Sequence, residues 1–307
     1  MMEQGIGETR AVLVDQGEIV EARILREGII PAGTILHARL VSTGRNAVAR
    51  AGADEYLLPR GAPGVTEGAT LSIEVTREAL AGGEPWKRPL ARVSDAAPAA
   101  APAIVGHTLP FPSPGDAFED AGWSELLDEA RSGIIAFPGG ELRVALTPAM
   151  TLIDVDGHLP PEQLALAGAT ASARAIRRYG IAGSIGIDLP TIGGKAARQA
   201  VAEVVDAILP QPFERTAVNG FGFLQIVRPR RHASLFELAA DRAAFEARAL
   251  LRRAARETGA TTLVAHPAVI AALKPSWLDQ LGAQVGGAVA LRPDPSLAMS
   301  AAYAQRS

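Results

Sequence analysis

The chain has 307 residues, 48% of them hydrophobic, 5% aromatic and 21% charged, with a formal net charge of -3. That length holds one large core or two ordinary ones, and the slightly acidic balance excludes a uniformly basic surface, so any nucleic-acid contact has to come from a local patch. The absence of cysteine excludes disulfides, thiolate zinc sites and cysteine nucleophiles.

A cysteine-free chain suits a reducing compartment, and a cytoplasmic location is expected. The opening MMEQGIGETR carries acids and no apolar run, so no secretory signal is expected there. No stretch approaches the ~18 apolar residues of a membrane span, and no membrane association is expected.

The first predicted element is a hairpin, AVLVDQGEIVEARIL, turning at Asp15-Gln16-Gly17. After Gly28 to Gly33 come short strands, TILHARLV, NAVARAG, EYLLP and ATLSIEVT, separated by Gly and Pro. Their regular spacing predicts a small sandwich or barrel. The Ala- and Pro-rich stretch that follows has little periodicity and reads as a linker. WSELLDEARS then predicts a short helix stopped by Gly133.

From Gly133 the pattern changes to strand and helix in alternation. ELRVALT and MTLIDVD read as strands, PPEQLALAGATASARAIRRYG as a helix, SIGIDLP as a strand and KAARQAVAEVVDAIL as a second amphipathic helix. FERTAVNGFGFLQIVRPR holds one or two more strands. This rhythm predicts a βαβ unit with parallel strands. LFELAADRAAFEARALLRRAARET reads as one long helix, and the remainder as a β-α-β lobe.

Two strands end in acids. Asp154 and Asp156 lie two apart in TLIDVDG, on one strand face, and Asp188 closes GSIGID. If the segment between them is one crossover helix, the two strands are parallel neighbours and their carboxyl ends meet at the sheet edge, where open α/β sheets hold ligands. Carboxylates brought together repel unless a proton or cation intervenes, and an all-oxygen set favours Mg²⁺ or Mn²⁺. An aspartate at a strand end is equally an ordinary turn former or helix cap.

Basic residues form a second group. Arg228, Arg230 and Arg231 follow GFGFLQIV, and guanidinium forks grip phosphates. Phe221, Phe223 and Gln225 read as one strand face, with the two phenylalanines expected in the core and the arginines at the surface. Arg174, Arg177 and Arg178 end the first helix of the unit. Lys195 and Arg198 open the second, after Gly193-Gly194, where main-chain N–H groups could hold a phosphate or simply form a loop. Of five scattered histidines only His158 lies near the acids, and it reads as a solvent-facing loop residue.

Taken in order, these segments resemble the catalytic region of the ribonuclease E/G family. ETRAVLVDQGEIVEARI resembles the family's first strands; EYLLP and SIEVTRE resemble its inserted RNA-binding barrel; PGGELRVAL, TLIDVDG, AGSIGIDL, KAARQAVAEVV and GFGFLQIVRPRR follow its order and spacing. LVAHPAVIAAL and WLDQLGAQVGGAVALRP resemble its small domain. The resemblance implies an α/β fold (α+β overall) with a ribonuclease-H-like, nuclease-type α/β core. It places first core strands in 1–33, an OB-type barrel in 34–92, a linker in 93–121, the core with its metal site in 122–235, and a long helix and small α/β lobe in 236–307.

It further implies cleavage of single-stranded RNA with a divalent metal held by Asp154 and Asp188, with Asp156 assisting. Asp156 stands where the family has an asparagine, Thr191 where it has an acid and Gly220 where it has an arginine. Arg228 and Arg230 match basic positions, and Tyr56 falls near a barrel aromatic. The RNA-binding set expected on this basis is Lys195, Arg198, Arg228, Arg230, Arg231 and Tyr56. The family's zinc-linking cysteines are missing, so a homodimer without a zinc link is the assembly compatible with the sequence, and the Ala/Pro stretch is too short for the family's 5′-phosphate sensor. Three functions follow: a Mg²⁺- or Mn²⁺-dependent endoribonuclease, a non-catalytic RNA-binding protein on the same fold, or a metal phosphoesterase acting on a small nucleotide.

Overall fold

The computed structural model describes residues 1–80, 87–113 and 115–306. Residues 81–86, inside the expected barrel segment, and residue 114, inside the Ala/Pro stretch, lie outside the described residues. The fold is mixed α+β, with three open sheets and a closed five-stranded barrel.

Strands β1 (Met2–Gly5), β2 (Glu8–Asp15) and β3 (Glu18–Arg26) run antiparallel in that order. The β2–β3 turn is made by Gln16 and Gly17 at φ 51 and 89, the pair of left-handed residues that a two-residue turn needs. The barrel follows: β4 (Ile35–Ser42), β5 (Ala47–Ala51), β6 (Asp54–Leu58), β7 (Thr70–Arg77) and β8 (Leu90–Val93), closing in the order β4-β5-β6-β8-β7. Its interior is filled by Leu40, Ala47, Ala49, Leu58, Ile73 and Val75.

The Ala/Pro stretch is tied down. Ala99 and Ile35 exchange backbone hydrogen bonds of 3.1 and 2.9 Å, and β9 (Thr108–Leu109) joins β1 in parallel. An extended segment keeps its backbone donors and acceptors whatever its side chains are, and a nearby strand edge satisfies them. Helices α1 (Ala117–Asp120) and α2 (Trp123–Ser132) come next; Gly133 ends α2 at φ 74, as the stop signal requires.

The largest sheet is built from β10 (Ile134–Phe137), β11 (Gly140–Leu146), β12 (Thr151–Gly157), then across helix α3 (Pro161–Arg178) to β13 (Gly183–Asp188), and after helix α4 (Lys195–Ile208) from β14 (Glu214–Arg215) and β15 (Phe223–Arg228). The order is β10-β11-β12-β13-β15-β14. Within this sheet, among the described residues, only β12 and β13 pair in parallel; β15 returns antiparallel to β13, because the β14–β15 hairpin reverses the chain after α4. Helix α3 packs against β11 and β12. Gly168 permits this approach, since a Cβ there would stand 2.3 Å from Val155 Cγ1.

The expected single long helix is two: α5 (Leu235–Ala240) and α6 (Arg242–Ala254). Asp241 takes a non-helical conformation, φ -84 and ψ 75, and its carboxylate accepts from the N–H of Ala244. An aspartate satisfies a free helix-start N–H better than it continues a helix, and that breaks the run. Ser234 and Glu237 form a reciprocal capping box at the start of α5. The last unit comprises β16 (Thr261–Ala265), α7 (Pro267–Ala271), α8 (Pro275–Val285), β17 (Val289–Pro293) and β18 (Tyr303–Arg306), with sheet order β17-β16-β18.

Buried charges join the first sheet to α6. Glu3 on β1 accepts from Arg10 at 2.7 Å and from Arg252 at 3.0 Å, and Arg252 also reaches Asp116 at 2.5 Å. Among the described residues no helix is long and apolar enough to cross a membrane.

Candidate metal centre

The alternation in TLIDVDG decides which side chains leave the core. Ile153 and Val155 are buried under α3, so Leu152, Asp154 and Asp156 point to the other face of the sheet. In β13 the same rule buries Ile185 and Ile187 and turns out Ser184, Gly186 and Asp188. The parallel register pairs Ile153 with Ile187 and Asp154 with Asp188. The two aspartates are therefore adjacent, on one face, at the carboxyl ends of neighbouring parallel strands.

On the other side of Asp154 the antiparallel register places Arg143, and Asp156 lies opposite Glu141. Arg143 bonds Glu141 at 2.7 Å and comes within 3.8 Å of Asp156. Neither Asp154 nor Asp188 forms an ion pair among the described residues. Burial, then the charges of Asp156 and Asp188, hold the Asp154 carboxyl above its ordinary value, with Arg143 opposing them. Four carboxylates thus share this face with one arginine.

Aromatic residues frame the same edge. Phe223 is the register partner of Asp188, and its ring lies over Gly186, where a Cβ would stand 2.5 Å from Phe223 Cζ. The turn before it is held by Asn219, whose side-chain oxygen accepts from the N–H groups of Phe221 and Phe223 at 2.9 and 3.0 Å. Gly222, at φ 93, lets this turn touch the loop after β13, since a Cβ there would sit 2.1 Å from the Leu189 carbonyl oxygen. Phe221 is left 83% exposed beside the aspartate edge.

That corrects the expectation that Phe221 belongs to the core. The strand starts at Phe223, so Phe221 is a turn residue and does not share its face. The turn residues around it (NGFG) carried the signal.

Lys195, exposed, opens α4 at the same end of the sheet, seven positions after Asp188. Arg198 turns back and donates to the Ile192 carbonyl at 3.4 Å.

The Arg228, Arg230 and Arg231 group is elsewhere. Arg228 pairs with Gly183 and Phe223 with Asp188, so the arginines sit five steps along β15 from the acids, roughly 16 Å at ~3.3 Å per residue. Arg230 is held by Glu237 and Arg228 donates to the Ile181 carbonyl at 3.1 Å; only Arg231 is exposed.

Tyr56 is also displaced from its expected role. It is 1% exposed inside the barrel, where burial pushes its hydroxyl pKa up to about 12. The alternation of β6 puts Tyr56 and Leu58 on the inward face together, so the ring cannot meet a base. His158 is exposed in the loop after β12.

Among the described residues no group of three or more His, Asp or Glu side chains converges closely enough to enclose a metal ion. Asp154 and Asp188 offer one pair of carboxylates. Two carboxylates with water or substrate oxygens completing the shell is the donor set that Mg²⁺ commonly takes, since it gives up its waters reluctantly. No protein-family model matches this sequence, and no curated protein matches it.

Proposed function

We propose that the protein is a divalent-metal-dependent endoribonuclease that hydrolyses phosphodiester bonds in single-stranded RNA. The observation that carries this is the register pairing of Asp154 with Asp188 on one open sheet face. A face with four carboxylates and one arginine repels RNA unless a cation is present, which favours metal-dependent chemistry over metal-free binding. Asp154 and Asp188 would hold Mg²⁺ or Mn²⁺. A bound ion of this kind neutralises charge developing on a phosphoryl group and acidifies a coordinated water.

The chain's own residues supply binding and orientation. Phe221 offers an exposed ring on which an unpaired base can stack. Lys195, at an uncapped helix start without an acid in its first turn, suits a backbone phosphate. Arg143, the register partner of Asp154 on the side away from β13, would meet the scissile phosphate. In the reaction, water oxygen bonds to phosphorus as the P–O3′ bond breaks, leaving a 5′ phosphate and a 3′ hydroxyl.

The resemblance to the ribonuclease E/G family supports the same activity, and so does the barrel, whose five strands match the count of OB-type nucleic-acid-binding barrels. The nuclease-type core, the OB-type assignment and the family membership all belong to this proposal.

The test is fluorescent single-stranded RNA incubated with Mg²⁺ or with chelator, using wild type and the Asp154→Asn/Asp188→Asn double variant. Metal-dependent cleavage lost in the variant is the expected result. Equal cleavage by both would overturn it, and binding without cleavage would select the non-catalytic alternative.

A further inference from the structure

A cleft of about 740 Å³ lies at the opposite end of the large sheet from the aspartates, between the β2–β3 hairpin, the end of α3 and the segment after β15. Four arginines line it, Arg23, Arg177, Arg228 and Arg231, against one carboxylate, Glu21. Arg177 is committed to Glu21 at 2.6 Å, and Arg23 to Glu78 at 2.6 Å. Among the described residues the other two guanidinium groups form no ion pair, with Glu21 acting on Arg228 from beyond ion-pair distance. Arg228 donates to the Ile181 carbonyl at 3.1 Å, and burial pulls its pKa down against the opposing charge of Glu21. Arg231 is exposed at the cleft and forms no ion pair among the described residues. The Nε of Arg23 is buried there without a partner among the described residues.

We propose that this cleft binds a small organic phosphomonoester, its phosphate held by Arg228 and Arg231 and its organic part against Val12, Ile104 and Pro210. The two guanidinium groups match a phosphomonoester, which carries close to two negative charges at neutral pH, where a phosphodiester carries one; the Met1 ammonium, which donates to the Val12 carbonyl at 2.7 Å, lines the same cleft. Guanidinium forks suit phosphate oxygens in pairs. The volume falls in the range of small-molecule pockets, and among the described residues no Phe, Tyr or Trp side chain lines it to stack a base.

His232 adds no charge. Burial, reinforced by Arg23, favours its neutral form. The competing role for these arginines is to cover the carbonyl end of α3. That role employs Arg177 and Arg228 and leaves Arg231 without a function. The proposal is independent of the nuclease reading.

The experiment is calorimetric titration of the full chain, in chelator, with ribose 5-phosphate, ribose, inorganic phosphate and a 5′-phosphorylated trinucleotide. Ribose 5-phosphate is expected to bind with a Kd at or below about 1 mM, more tightly than phosphate or ribose. Arg231→Gln, at an exposed position, is expected to weaken binding about ten-fold with an unchanged melting temperature. The Asp154→Asn/Asp188→Asn variant is expected to bind as wild type does. Absence of binding, binding indifferent to Arg231→Gln, equal affinity for inorganic phosphate, or tighter binding of the trinucleotide would each overturn the assignment.

Discussion

Arg143 stands directly across the β11–β12 ladder from Asp154, so the carboxylate that faces Asp188 on one side faces a guanidinium on the other. The arginine is shared with Glu141 and Asp156 and cannot neutralise the whole face. At the proposed metal site it would therefore weaken cation binding without replacing the cation. Arg143→Gln is expected to tighten Mn²⁺ binding by about two- to five-fold, the scale of an exposed charge, and to weaken RNA binding in the presence of metal. Mn²⁺ affinity that falls in this variant would contradict the arrangement.

Asp188 and Asp154 repel each other across a parallel pair. Like charges placed opposite in a sheet cost about 0.2–1 kcal/mol. In chelator, Asp188→Asn is expected to melt slightly above wild type; with saturating Mn²⁺ the order is expected to reverse, because the ion stabilises only the chain that holds it. Thermal melts with and without metal check both halves. The same order under the two conditions would show that no cation binds between these strands.

The pH dependence has a fixed sign. The Asp154 carboxyl is held above its ordinary value of 3.8, by burial first and then by Asp156 and Asp188. Between that value and the raised one the folded chain binds more protons than the unfolded chain, so stability falls as pH rises through this window. The contribution is fully present below 3.8 and gone at neutral pH. Asp154→Asn is therefore expected to exceed wild type in melting temperature at pH ~7 and to lose that advantage as the medium is acidified below the wild-type carboxyl's ordinary range. An advantage that grows on acidification would invert the assignment.

The acid pair was legible because strand alternation is local: Ile153 and Val155 inward sends Asp154 outward, and a single crossover helix makes neighbours of β12 and β13. Direction was not legible beyond that unit. The hairpin β14–β15 turns the chain back, so arginines that follow a strand in sequence end at the far edge from the acids. Sequence separation from Asp188 carries no information about that reversal. The inward face of Tyr56 is legible in the alternation of Tyr56 and Leu58 with Glu55 and Leu57, although an aromatic residue in such a barrel is equally a candidate stacking group. The break at Asp241 rests on a cap that competes with a strong helical pattern, and helical periodicity continues through it.

The buried charge network gives a test of the fold itself. Glu3, 2% exposed, accepts from both Arg10 and Arg252. Leaving a buried charge with no partner typically costs about 3–5 kcal/mol, but without Glu3 Arg10 keeps Glu8 at 2.9 Å and Arg252 keeps Asp116 at 2.5 Å. Glu3→Gln is expected to lower stability by about 1–3 kcal/mol in urea unfolding, although Glu3 is remote in sequence from every candidate site residue. A loss of a few tenths of a kcal/mol would show that water reaches these arginines.

Phe221 and Tyr56 separate function from folding. Phe221 is exposed and touches no core, so Phe221→Ala is expected to change stability by no more than about 0.5 kcal/mol. Loss of one stacked base is expected to weaken single-stranded RNA binding by about 1–3 kcal/mol. Tyr56 has the opposite signature. Its ring fills the barrel interior, so Tyr56→Ala is expected to destabilise by about 3–5 kcal/mol, while Tyr56→Phe keeps the ring and is expected to bind RNA as wild type does. Unfolding curves and RNA titrations on the three variants give both quantities. If Phe221→Ala bound RNA unchanged while Tyr56→Phe bound poorly, the RNA path would lie on the barrel, and the exposed ring beside the aspartate edge would have no part in it.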